Sequence, residues 1–225
     1  MIRLDGKRAL VTQADDFMGP AACDGFAAAG ADVVADRRDL TAAGACEAAI
    51  REAGVIDILV ANLAGPNFTG TPATDLTDDQ WAACFDTMVH PLHRLCRAAL
   101  PQMLERGAGK IVVFGSATAL KGVRNVAAYA AARAAQAGYV RALGVEVARA
   151  GVNANLIAQN WVENPAYYPP ELQADERFRK ALKAQVPLGR LATPAEDVAL
   201  ALFLASDLAS AHVGQIVPFD GGWTA

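Results

Sequence analysis

Arg8-Ala-Leu-Val-Thr12, followed by Gln-Ala-Asp-Asp-Phe-Met-Gly19, is the stretch that decides the fold. A short apolar run breaks into a polar loop, and the Ala-rich segment Gly19–Ala29 then reads as a helix. The same alternation recurs along the chain. Strand-like runs stand at Arg8–Thr12, Asp32–Ala35, Ile58–Asn62, Lys110–Ser116, Val152–Ile157 and Gln215–Phe219. Helical stretches lie near Gly19–Ala29, Thr41–Glu52, Asp78–Glu105, Val126–Ala150 and Pro194–Ser206. Short strands separated by helices predict a parallel sheet covered on both faces. Right-handed crossovers make it a Rossmann-like, doubly wound α/β fold, one domain over residues 1–225. Ligands in such sheets gather beyond the carboxyl ends of the strands. The segments to interrogate are therefore 12–19, 61–65, 116–124 and 158–170.

Composition narrows the partners. The chain has 225 residues, 53% hydrophobic and 20% charged, with a formal net charge of -4. That supports a sizeable core, and the absence of a basic block argues against a nucleic-acid partner. No apolar run approaches the roughly 18 residues of a membrane span. Arg3, Asp5, Lys7 and Arg8 lead straight into the first strand, unlike a secretory leader. Cys23, Cys46, Cys84 and Cys96 are widely spaced, which reads as reduced structural thiols in a cytoplasmic protein with no metal site.

The first loop has the place of a dinucleotide site but not its glycines. A pyrophosphate needs a tight turn and close backbone approach to a helix N-terminus. Gln13 and Phe17 stand where two of those glycines belong, and only Gly19 is kept. Asp15 and Asp16 add negative charge facing an anion and read instead as caps for the helix N–H groups. Asp36, at the position of a ribose-binding acid, reads as a surface residue beside Arg37 and Arg38. A divergent nucleotide loop that tolerates these substitutions is the alternative.

Ser116 ends the fourth strand-like run, and Tyr129 and Arg133, four apart, share one face of the next helix. A permanently charged guanidinium favours a tyrosinate, so Tyr129 reads as a proton acceptor while Ser116 holds a substrate hydroxyl. A surface Tyr–Arg pair is the structural alternative.

These residues carry a resemblance. Ala61-Asn-Leu-Ala-Gly65, Gly115-Ser116, the Tyr129 helix, Val152-Asn-Ala-Asn155 and Phe219-Asp-Gly-Gly222 resemble the short-chain dehydrogenase/reductase superfamily over essentially the whole chain. Within it the sequence looks like the halohydrin dehalogenases. Thr12, Phe17 and Gly19 match that family's first signature; Ser116, Tyr129 and Arg133 match its second. Dehydrogenases of the superfamily have Lys where Arg133 stands, and Met88 falls near their helical Asn. The resemblance implies a cofactor-independent carbon–halogen lyase. It would turn vicinal haloalcohols into epoxides plus halide, and open epoxides with small anions in reverse. It also implies a halide pocket in a loop of about residues 158–180, lined by Phe17, Gln159, Asn160, Trp161, Val162 and Tyr168, and a homotetramer built partly on the small-residue face of the Tyr129 helix. Two alternatives stay open: an NAD(P)-dependent short-chain oxidoreductase with a degenerate glycine loop, and a catalytically silent relative. His90 and His93 read as ordinary helix residues without an acidic partner at catalytic spacing; Lys121 and Arg124, which follow Ser116, read as a solvated loop, with the border of the substrate mouth as the alternative. Thr77 reads as a helix N-cap.

Overall fold

The computed structural model describes residues 2–225. Six parallel strands form one sheet in the order β2-β1-β3-β4-β5-β6. They are β1 (Arg8–Val11), β2 (Asp32–Ala35), β3 (Ile58–Asn62), β4 (Gly109–Phe114), β5 (Val152–Gln159) and β6 (Ile216–Phe219). The helices are α1 (Gly19–Ala28), α2 (Ala45–Ala53), α3 (Asp78–Arg106), α4 (Ala127–Val147), α5 (Pro170–Ala174), α6 (Glu176–Gln185) and α7 (Pro194–Ala205). The sheet is doubly wound, as the alternation predicts. The strand order reverses between β1 and β3, so the crevice above those strands is the switch point where ligands collect.

β3 and β4 are buried at every position, which is why their centres, Ile58–Ala61 and Ile111–Phe114, read as continuous apolar runs. Successive side chains serve opposite faces. Ile58 and Val60 pack with Phe26 of α1 and Val198 and Leu204 of α7. Leu59 and Ala61 pack with Leu92, Leu95 and Met103 of α3 and Val140 and Leu143 of α4. Phe26 is fully buried between α1 and the sheet, so truncating it to Ala would cost about 3–5 kcal/mol.

Several boundaries differ from the sequence reading for local reasons. α2 starts at Ala45 rather than Thr41. Gly44, at its N-cap, has φ 74°, and the Asp39 carboxylate holds Thr41 in a turn by accepting from its N–H and hydroxyl. β4 stops at Phe114, leaving Gly115 and Ser116 beyond the strand. β5 runs on to Gln159, delivering the following loop to the sheet's upper edge. Thr77 does cap α3, in a reciprocal capping box with Gln80. α5 and α6 fall inside a segment read as loop. Asp175 caps α6 by accepting from the N–H groups of Arg177 and Phe178. Among the described residues no helix is long and apolar enough to cross a membrane.

Candidate active site

A cavity of about 480 Å³ opens above the carboxyl ends of the sheet. Phe17, Ser116, Tyr129, Arg133, Gln159, Asn160, Trp161, Val162 and Tyr168 all line it. Thr12 and Gly19 do not. Thr12 is buried and donates its hydroxyl to the Asn62 carbonyl (3.0 Å). Gly19 is glycine because a Cβ there would lie 2.1 Å from the Gln13 carbonyl oxygen. Its job is to let the loop fold tightly over the start of α1.

That loop has a distinctive backbone. Gln13 (φ 45°) and Phe17 (φ 51°) both sit in the left-handed region, which glycine occupies freely and other residues occupy at a cost. The conformation of a glycine loop is thus kept while its open space is filled. The Gln13 amide bridges to the loop after β3, donating to the Ala64 carbonyl (3.1 Å) and accepting from the Ala64 N–H (2.9 Å). The Phe17 ring lies against Tyr167, centroids 5.4 Å apart. Backbone N–H groups that could cradle an anion are used internally: Ala14 donates to Asp36, Asp16 to Gln13 and Gly19 to Asp16.

Two readings of charged residues here are corrected. Asp15 and Asp16 do not cap α1. Met18 is the N-cap, without a side-chain hydrogen bond, and Asp15 reaches away to Arg37 (2.8 Å). Asp36 is no surface residue. It is 5% exposed and paired with Arg38, which also holds Glu52. Burial pushes its carboxyl up, and Arg38 opposes that.

Ser116 is nearly buried, and its Oγ accepts from both the N–H (3.2 Å) and the hydroxyl (3.0 Å) of Thr118. Ser116 lines the cavity, and its hydroxyl carries one O–H that can donate to a ligand there. Arg133 is 3% exposed. Its Nη1 donates to the carbonyls of Leu63 (3.0 Å) and Phe114 (3.3 Å) and to Gln136 Oε1 (2.9 Å), tying the ends of β3 and β4 to α4. Gln136 in turn donates to the Met88 carbonyl. The guanidinium meets Tyr129 through the ring face, 5.0 Å from its centroid, an attraction between cation and π-system. Thr118 and Gln136 are supporting residues that sequence reasoning missed. Their offsets, i+2 from Ser116 and i+3 from Arg133, were the available signals.

The far wall comes from the segment after β5. Trp161 takes φ 57° and its N–H is accepted by the Asn160 side chain. The N–H groups of Tyr167 and Tyr168 donate to the Asn164 carbonyl, turning both phenols inward. Trp161, Tyr168 and Phe178 stack in sequence, the first two with centroids 5.8 Å apart, which clips α6 over the site. Burial pushes the Tyr168 phenol up to about 12 and the Tyr167 phenol further, with Tyr129 adding to both. They stay protonated as wall residues.

The residues set aside divide. His90 pairs with Asp86 (2.9 Å) one turn earlier on α3, both about half exposed and neither lining the cavity. Lys121 is not a free loop lysine, since it contacts Trp223 at the cavity mouth. The four cysteines are free, and burial pushes each thiol up.

A doubly wound sheet with a Ser–Tyr–Arg cavity at its switch point defines a short-chain dehydrogenase/reductase architecture. A family model described as enoyl-(acyl carrier protein) reductase matches residues 9–224, and the chain belongs to that family. It is 32% identical to the 2-keto-3-deoxy-L-fuconate dehydrogenase of Xanthomonas campestris pv. campestris, covering 99% of this chain and 81% of the relative. A solved gluconate 5-dehydrogenase from Burkholderia cenocepacia, in complex with NADP and tartrate, superposes with a TM-score of 0.89 at 29% identity, covering 99% of this chain and 97% of that one. A solved protein described as "Dehalogenation enzyme" superposes with a TM-score of 0.91 at 32% identity, covering 99% and 100%.

The reading as a cofactor-independent carbon–halogen lyase is corrected by these comparisons. The named relatives are dehydrogenases and reductases, which places the weight on the oxidoreductase alternative. The first loop, as it stands, does not fit the nucleotide of such enzymes. Gln13 and Phe17 fill the approach, and Asp36 is already engaged by Arg38.

Proposed function

We infer that the chain is a short-chain-type oxidoreductase acting on a small hydroxy or keto compound. The observation that carries this reading is the relation of the chain, over its whole length, to named dehydrogenases; the convergence of Ser116, Tyr129 and Arg133 on one cavity supplies groups to handle the proton. Ser116 donates to the substrate oxygen and fixes its position. Tyr129 exchanges a proton with that oxygen, and Arg133 is a positioning residue that anchors Tyr129 and the two strand ends. The aromatic wall of Phe17, Trp161 and Tyr168, with Gln159, Asn160 and Val162, shapes the space beside the reacting carbon. A nucleotide could enter only by parting Gln13 from Ala64 and Phe17 from Tyr167. The homotetramer belongs to the same proposal, supported by the outward Ala127, Ala134 and Gly138 on α4.

The test is turnover of a panel of secondary alcohols and ketones with NAD(H) and NADP(H), read by nicotinamide absorbance. A parallel arm follows halide release from 1,3-dichloro-2-propanol without nucleotide. Nucleotide-dependent turnover is expected, with the Gln13–Ala64 and Phe17–Tyr167 contacts parting as the nucleotide binds. Halide release with no nicotinamide chemistry would overturn the reading.

A further inference from the structure

We propose that Trp223, held in place by Lys121, is the residue that sets the size of substrate the cavity admits. Trp223 lines the same cavity as Ser116 and Tyr129, though it comes from the turn after β6. Two independent supports fix it. The first is the turn itself. The buried Asp220 carboxylate accepts from the N–H of Gly222 (2.9 Å) and from the N–H (3.0 Å) and hydroxyl (2.6 Å) of Thr224. Gly221 and Gly222, both at positive φ, lie against Val186, Pro187 and Leu188 just past α6. The second support is Lys121, on the loop between Ser116 and Tyr129. Its Nζ donates to the Trp223 carbonyl (2.5 Å), and the ammonium stands 4.6 Å from the indole centroid. One cation thus holds both backbone and ring.

The arrangement joins the loop between Ser116 and Tyr129 to the turn after β6, which packs on Val186, Pro187 and Leu188 just past α6. Val123, on the same loop as Lys121, also lines the cavity and is 38% exposed. It marks where the cavity meets solvent. An exposed lysine gains little from a carbonyl in open water, but a cation over an indole face orders both groups. Trp223 is therefore a fixed wall of large area at the mouth, and a substituent on the substrate carbon has to fit inside it. Small secondary alcohols are favoured over those bearing extended aryl groups.

The proposal rests on the oxidoreductase reading for the class of substrate, so its test separates binding from turnover. Affinities of 2-butanol, 1-phenylethanol and 1-(2-naphthyl)ethanol are measured by ligand-detected saturation-transfer NMR on wild type, Trp223→Ala and Lys121→Met. Nucleotide-dependent turnover of the same alcohols is followed alongside. Trp223→Ala is expected to shift the naphthyl-to-butyl affinity ratio by about tenfold or more toward the larger ligand, the scale of pocket discrimination between apolar groups. Lys121→Met, an exposed substitution that leaves the fold intact, shifts the ratio in the same direction by less. An unchanged size profile in both variants would overturn the proposal, even with turnover present. The shifted profile without any turnover would support the mouth and overturn the oxidoreductase reading instead.

Discussion

Gln13 and Phe17 hold the backbone of glycines without being glycines, and their side chains decide what the first loop can accept. Replacing both with Gly relieves two left-handed residues, each worth about 1 kcal/mol, and clears the approach that the Gln13–Ala64 bridge and the Phe17–Tyr167 contact fill. The double variant should bind NADP at least about tenfold more tightly than wild type in a calorimetric titration, a gain of about 1.4 kcal/mol. Equal affinities would show that these side chains are not the obstacle. A second residue sets a pH dependence. Asp197, in the first turns of α7, is fully buried with both carboxylate oxygens unpartnered, and burial pushes it up to about 8. The folded state keeps the proton that the unfolded chain releases near its usual 3.8. Its contribution is complete below that value and is lost as pH rises toward about 8. Between pH 5 and 9 the wild-type melting temperature should fall, and Asp197→Asn should flatten the slope. A slope unchanged by the substitution would contradict this account of Asp197.

At the scale of elements, close approach of backbones positions the site. A Cβ on Gly144 of α4 would lie 2.4 Å from the Gly214 backbone nitrogen, where no side chain can rotate away. Gly144→Ala should therefore lower stability by about 1–3 kcal/mol in urea unfolding, and it should impair turnover because α4 carries Tyr129 and Arg133. Wild-type stability and rate would refute that packing. The sheet and the helices flanking it were legible in the sequence because β3, β4 and β5 are buried on both faces and so keep short apolar stretches, Ile58–Ala61, Ile111–Phe114 and Leu156–Ala158, between helical segments. The sites at their ends followed, since ligands gather at carboxyl ends whatever the chemistry. α5 and α6 were not legible. Phe178 and Leu182 present only a narrow apolar stripe among charged residues, and they pack on Trp161, Tyr168 and Val186, contacts that exist only after folding. The lysine clamp on Trp223 was hidden in the same way, with 102 positions separating its partners.

For the whole molecule, the site was easier to read than the reaction. In the proposed function the Ser–Tyr–Arg set orders an oxygen and a proton, and that half of the chemistry would be the same whether electrons leave to a nucleotide or a halide departs from the next carbon. Phe17 and Gln13 tilted the sequence toward the halide; the relatives named as dehydrogenases along the full chain support the oxidoreductase proposal instead. The claim common to every part of the account is that Tyr129 exchanges the substrate proton within the cavity beside Ser116. The direct measurement is nucleotide-dependent turnover of a small secondary alcohol by wild type and Tyr129→Phe, with circular dichroism showing both folded. The account predicts a loss of about 100-fold or more in kcat with little change in the alcohol's affinity. A Tyr129→Phe enzyme retaining wild-type kcat would contradict it.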